Sequence, residues 1–203
     1  MNTQVVPTKG NLIGSKKSLE LAKVGFDLLD KKRNILIREL MTLIDHANEI
    51  QQTIDVSYSK AYLALQEANM TLGICEELAS TVPVDESLRL SYRSVMGVEI
   101  PIVFIEESKM NSIPFGIVSS NSVLDKAYKL FLEVKQKTAE LSEVENSVYR
   151  LAKSIKKTQK RANALKNIII PRFEKIVKFI NNVLDEKERE DFSRLKVIKK
   201  QKE

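Results

Sequence analysis

The sequence predicts an all-α-dominated fold: a long antiparallel left-handed two-helix coiled-coil hairpin with a small β-hairpin segment at the turn end. Three observations predict it. A seven-residue apolar repeat occupies each end of the chain, and the repeats have nearly equal lengths, Leu12 to Thr71 and Ala127 to Val183. Between them lies a stretch with the two-residue alternation of strands. Helix-disrupting residues are scarce, with 6 Gly and 5 Pro among 203 residues. A strict period of seven is under-wound relative to a straight helix, so it demands a left-handed supercoil.

The first element is expected to open at Pro7-Thr8, with Thr8 as the cap. No proline follows until Pro83, so the sequence predicts one helix to about Ser80, roughly 110 Å long at ~1.5 Å per residue. Of its 18 a and d positions from Leu12 to Thr71, 14 are apolar; Ser15, Arg33, Ser57 and Thr71 are the exceptions. Leu19, Phe26, Leu29, Leu36, Leu40, Leu43, Ile50 and Ile54 are the core expected from this helix. Thr81-Val82-Pro83 is the expected stop, because the residue before proline avoids helical geometry. The small residues Ala61, Ala64 and Ala68 leave room for close helix approach.

Residues 83–119 form the expected connecting segment. Leu88, Leu90 and Tyr92 alternate with Arg89, Ser91 and Arg93, and Val98, Ile100, Ile102 and Phe104 with Glu99, Pro101 and Val103. Such alternation marks half-buried strands. Gly97 is a turn or a bulge, and Ile113–Val118 a further candidate strand. The last helix is expected to start with the capping-box-like Ser122-Val123-Leu124-Asp125. Its core is expected at Val134, Leu141, Val144, Val148, Leu151, Ile155, Leu165, Ile169, Ile176 and Phe179, interrupted by Lys137, Thr158 and Arg172. Pro171 lies inside this helix with the heptad continuing in phase, which predicts a bend rather than a stop. The domain reading is one elongated body: an N-terminal helix over 1–82, the connection over 83–119 and a C-terminal helix over 120–203. A crude register sets Leu36 opposite Ala162 and Ile50 opposite Val148. A tethered partner acts at high effective concentration, which favours the hairpin over a homodimer of like helices.

Composition narrows the function. Charged residues make up 30% of the chain, aromatics 6%, and there is no Trp. One cysteine rules out an intrachain disulfide and suits a reducing compartment. No basic-then-apolar leader opens the chain and no apolar run is long enough to span a membrane, so a cytoplasmic location is expected. The net charge of +6 is unevenly placed. Residues 1–33 hold seven basic and three acidic groups, net +4; residues 192–203 hold five and one, net +4; residues 76–107 hold two and seven, net −5. A hairpin would bring the two basic segments together.

No catalytic, cofactor or metal site is expected. Gly10-Asn11-Leu12-Ile13-Gly14-Ser15-Lys16-Lys17 fails as a phosphate loop in glycine spacing, in lysine position and in lacking a preceding strand. One His, His46, and one Cys cannot assemble a zinc site or a nucleophile–base pair. The basic run Lys153, Lys156, Lys157, Lys160 and Arg161 reads as a solvated face or a surface for an acidic partner. A nucleic-acid-binding hairpin is a rival reading, opposed by the interleaved Asp185, Glu186, Glu188, Glu190 and Asp191; a static coiled-coil scaffold is another.

Particular residues carry a resemblance. Pro7-Thr8-Lys9 with Leu12, Lys16, Leu19, Gly25, Leu28-Leu29, Lys32-Arg33 and Leu36 resembles the start of the D subunits of V/A-type ATPases. Arg161-Ala162-Asn163-Ala164-Leu165, Pro171, Glu186-Lys187-Glu188-Arg189-Glu190 and Arg194-Leu195-Lys196 resemble the family's closing signature. Met96-Gly97-Val98-Glu99-Ile100-Pro101 resembles its middle strand motif. Lys160, Ala162 and Lys166 depart mildly from the family pattern. The resemblance implies a non-catalytic central-stalk rotor shaft. It would couple rotation of a membrane ion-translocating ring to ATP synthesis or hydrolysis in an A3B3 hexamer of three A and three B subunits. It also implies two further partners, an F subunit alongside the shaft and a socket-like subunit toward the membrane ring, with no direct membrane insertion and no nucleic acid. Lys9, Lys16, Lys17, Arg189, Arg194, Lys196 and Lys199 are then the expected tip contacts with the hexamer.

Overall fold

The structure, a computed structural model, describes residues 6–74, 78, 80, 82, 84, 86–105 and 120–202. Its elements are α1 (Lys9–Leu72), β1 (Leu88–Val95), β2 (Val98–Ile105), α2 (Ser122–Ala164), a π-helical turn (Leu165–Ile169) and α3 (Ile170–Lys202). Among the described residues the fold is helix-dominated with one two-stranded antiparallel sheet. Two compact units divide it: Met1–Ile35 with Ile155–Glu203, and Leu36–Ser154.

In the first unit, Thr8 caps α1. Its Oγ1 accepts the Asn11 N–H at 3.2 Å and its carbonyl accepts the Leu12 N–H at 3.0 Å, which satisfies a donor the helix start would leave bare. The returning helices run antiparallel to α1, since partners descend in number as α1 ascends: Lys9 with Glu188, Lys23 with Glu174, Gly25 with Leu165 and Arg33 with Gln159. Lys166 lies over the Phe26 ring at 5.7 Å.

The helical phase after Pro171 is a correction. The turn Leu165–Ile169 is π-helical, and the Ile170 N–H bonds the Leu165 carbonyl, five residues back. Proline has no N–H, and in a tight helix its ring collides with the carbonyl four residues earlier, here that of Asn167. A widened turn just before it relieves that clash and inserts one extra residue into the spiral. The heptad therefore slips by one. Phe179, expected in the core, is 55% exposed, and Ile180 is fully buried in its place. Phe173, Val177 and Leu184 are half-buried at the slipped spacing.

In the second unit, α1 and α2 again run antiparallel, with His46 facing Glu140, Tyr58 facing Thr138 and Tyr62 edge-on to Phe131. Ile50, Ile54 and Val144 are buried together, flanked by Leu43, Ala47, Tyr58, Leu141 and Val148. Leu36, Val134, Leu151, Ala61, Ala64 and Ala68 are also buried. Leu40 is half-buried here. In the first unit Leu19, Phe26, Leu29, Ile155, Leu165, Ile169 and Ile176 are half-buried as well. This is the ordinary state of a seam covered by a single partner helix.

Polar interruptions of the two repeats meet. Lys137 Nζ donates to Ser57 Oγ at 2.8 Å, and Arg33 donates to Gln159 Oε1 at 2.9 Å beside buried Thr158. Apolar seams slide readily; paired polar breaks set the register, because any slip leaves them unsatisfied.

α1 stops at Leu72, earlier than the expected Ser80. Gly73 takes φ 79° and its N–H bonds the Asn69 carbonyl, a left-handed cap that glycine adopts without strain. Thr81 and Pro83, the expected stop, lie outside the described residues, as do Cys75 and the candidate strand Ile113–Val118. At α2 the cap lies one residue earlier than expected: the Asn121 carbonyl accepts the Asp125 N–H at 3.1 Å, and Ser122 is already helical.

Candidate functional site

Two surfaces stand out among the described residues. The first is the region around the start of α1 and the end of α3, within the first unit. Lys9, the first residue of α1, pairs with Glu188 at 3.0 Å. Beyond Glu188 every described α3 side chain is exposed, so residues 189–202 run on as a helix with no α1 opposite, roughly 21 Å at ~1.5 Å per residue. Of the expected tip residues, Arg189 pairs with Glu186 at 3.6 Å, and Arg194 with Glu190 at 3.7 Å and Asp191 at 3.9 Å. These one-helix pairs absorb part of the basic charge. Lys16, Lys17 and Lys196 are exposed and have no ion-pair partner among the described residues; Lys199 is exposed and has an interaction of its own. The overhang is not purely charged: Phe192, Leu195, Val197 and Ile198 are 66, 65, 57 and 49% exposed. Leu195 and Ile198 continue the slipped apolar face of Phe173, Val177, Ile180 and Leu184. A 4-3-4 spacing read from Phe173 gives Val177, Ile180 and Leu184, and Leu195 lies about three turns past Leu184 on the same side.

The second surface is the β-hairpin of the second unit. Strands β1 and β2 pair from Val95–Val98 to Leu88–Ile105, with Met96 at φ 50° and Gly97 at φ 74° as the two-residue turn. Positive φ at both turn residues matches the right-handed strand twist. Counting outward from the turn, residues 99, 101 and 103 direct their backbone polar groups away from β1. Pro101 therefore forfeits no ladder bond. Helix α2 completes this outer edge: Glu143 Oε2 accepts the Val103 N–H at 2.7 Å, and Arg150 donates to the Glu99 carbonyl at 3.2 Å while lying over the Tyr92 ring at 5.5 Å. Arg93 of β1 pairs with Glu39 of α1 at 3.3 Å. Sequence reasoning misses Glu143 and Arg150, because no local pattern connects them to strands some 40–50 residues earlier.

Between one sheet face (Leu88, Leu90, Tyr92, Pro101, Val103) and α2 runs an open groove of about 770 Å³. Leu88, Leu90 and Tyr92 remain half or more exposed along it. Among the described residues no cluster of His, Cys, Asp and Glu could hold a metal ion. His46 faces Glu140 at 3.4 Å on an exposed flank. Gly10 and Gly14 lie on the surface of helix α1 rather than in a phosphate-cradling loop. No described helix is long and apolar enough to cross a membrane.

The family of ATP synthase D subunits matches residues 11–200. The D subunit of the V-type ATP synthase of Thermotoga neapolitana is 45% identical over 197 residues, covering 96% of this chain and 97% of its own. The D subunits of the A-type ATP synthases of Thermococcus kodakarensis and Pyrococcus horikoshii are 39% and 37% identical over 96% and 97% of this chain, and 93% and 94% of theirs. With a family match over nearly its whole length and relatives this similar end to end, the chain belongs to the family of ATP synthase D subunits.

Proposed function

We propose that this chain is the central-stalk rotor shaft of a V/A-type ATPase or ATP synthase, a non-catalytic component that carries torque between a membrane ion-translocating ring and a catalytic A3B3 hexamer. Membership of the D-subunit family supports assigning it to such a complex. The observation that supports the shaft role is the interlocking of unlike helices at their polar breaks, Ser57 with Lys137 and Arg33 with Gln159 beside the break at Thr158. A torque carrier must resist sliding of one helix past the other, and it must be asymmetric so that three like catalytic sites differ at any instant. Two different helices held in register meet both needs, and a bend at Pro171 would add to the asymmetry.

In this reading Lys16, Lys17 and Lys196 lead the contacts with acidic groups inside the hexamer, with Lys9, Arg189, Arg194 and Lys199 at their periphery. Exposed ion pairs are worth only ~0–1 kcal/mol each, which suits contacts remade at every step. An F subunit and a socket-like subunit complete the partners, and the complex sits on the cytoplasmic face of its membrane. The test is reconstitution of this chain with the F subunit and the A3B3 hexamer. One shaft per hexamer, with a bead on the shaft turning in steps under ATP, is the expected result. A hexamer whose ATP hydrolysis proceeds with the bead stationary would end the proposal.

A further inference from the structure

Helix α1 carries a second apolar seam on the side away from its heptad core. Leu21, Val24, Leu28 and Ile35 are 72, 50, 61 and 41% exposed and belong to the first unit. Their spacings of three, four and seven repeat the rule of a coiled-coil interface. Helical geometry sets them about half a turn from Leu19, Ala22, Phe26 and Leu29. No described element of the unit covers them. Single exposed apolar residues are ordinary, but a contiguous stripe marks a surface for another molecule.

The charges on the seam say what that molecule is. Lys17 and Lys31 occupy the same heptad line as Val24, one heptad to either side of it, and both are exposed. A second copy of this chain is disfavoured. A parallel pairing sets each lysine against itself, and an antiparallel one centred on Val24 sets Lys17 against Lys31. A partner helix with carboxylates at those two points removes the repulsion and gains two ion pairs. We infer that residues 17–35 of α1 dock an amphipathic helix of a companion subunit, whose apolar stripe meets Leu21, Val24 and Leu28 and whose acidic residues, two heptads or roughly 21 Å apart, meet Lys17 and Lys31. This inference rests on the assembly proposed above and names a contact within it.

The test uses the whole chain with Cys75→Ser and single substitutions Leu21→Cys, Val24→Cys, Leu28→Cys or Ile35→Cys. Lys23→Cys and Asn34→Cys are controls on an exposed flank. Each is treated with a maleimide, free and in the complex purified through a tag on the chain. The expected result is labelling of the four seam positions slowed in the complex at least tenfold more than labelling of the two flank positions, over and above any slowing that enclosure by the hexamer imposes on both. Equal slowing at seam and flank would overturn helix docking, as would unchanged labelling. Slow seam labelling in the free chain that grows with its concentration would assign the seam to a second copy and overturn the acidic partner. Failure of every variant to co-purify with the A and B subunits is a separate reading, which would overturn the assembly itself.

Discussion

Replacing Ile180 and Phe179 one at a time tests the slipped phase after Pro171. Ile180 is fully buried and Phe179 is 55% exposed. Ile180→Ala removes three carbons, worth about 2.4 kcal/mol of transfer at ~0.8 kcal/mol per carbon. The cavity left behind raises the total to roughly 3 kcal/mol, within the ~2–5 kcal/mol seen for such truncations. For a chain of this size each kcal/mol lowers the melting temperature by ~2–4 °C, so Ile180→Ala should melt roughly 6–12 °C lower. Phe179→Ala gives up less than half of a full aromatic burial, roughly 1 kcal/mol, or about 2–4 °C. An unbroken heptad predicts the reverse order, with the aromatic truncation costing about 3–5 kcal/mol. Thermal melts followed by circular dichroism at 222 nm decide between them. If Phe179→Ala melts below Ile180→Ala, the widened turn and its one-residue insertion are wrong.

Three further outcomes are expected. Lys137→Ala should destabilise by about 1–2 kcal/mol, since hydrogen bonds to charged groups contribute ~1.5–3 kcal/mol and this one is only partly buried; combined with Ser57→Ala in a denaturation cycle it should show a coupling above ~0.5 kcal/mol, and simple additivity would remove the register argument. Glu143→Ala strips the acceptor from the Val103 N–H, so that amide should exchange at least tenfold faster while amides at α1 near Leu36 stay protected; unchanged exchange would show that α2 does not hold the strand edge. Replacing Lys16, Lys17 and Lys196 together by Glu should leave the melting temperature of the free chain within ~2 °C, because exposed charges contribute little to stability, yet reduce the ATP hydrolysis coupled to rotation in the reconstituted complex; full coupling would remove these lysines from the hexamer contact.

The heptads specified helices, their approximate cores and their need for a partner without any tertiary information, because a seven-residue apolar period has one economical burial solution. The strand alternation on either side of Gly97 was legible too, since apolar alternation is a local fact, whereas the pairing and the positive φ of Met96 in the turn came only with the structure. What the chain's order alone left open was how separate segments meet. Lys137 and Ser57 are unrelated breaks in two repeats until the helices run past each other and the breaks coincide. The heptad count through Pro171 also looked intact on paper, yet steric relief of the proline ring widens the preceding turn and moves burial from Phe179 to Ile180. Likewise, Glu143 and Arg150 acquire their task only when β2 lies along α2 and its outward backbone groups require partners. Local periodicity encodes which face of an element is apolar; only three-dimensional packing decides which polar groups lose water together, and so which must find each other.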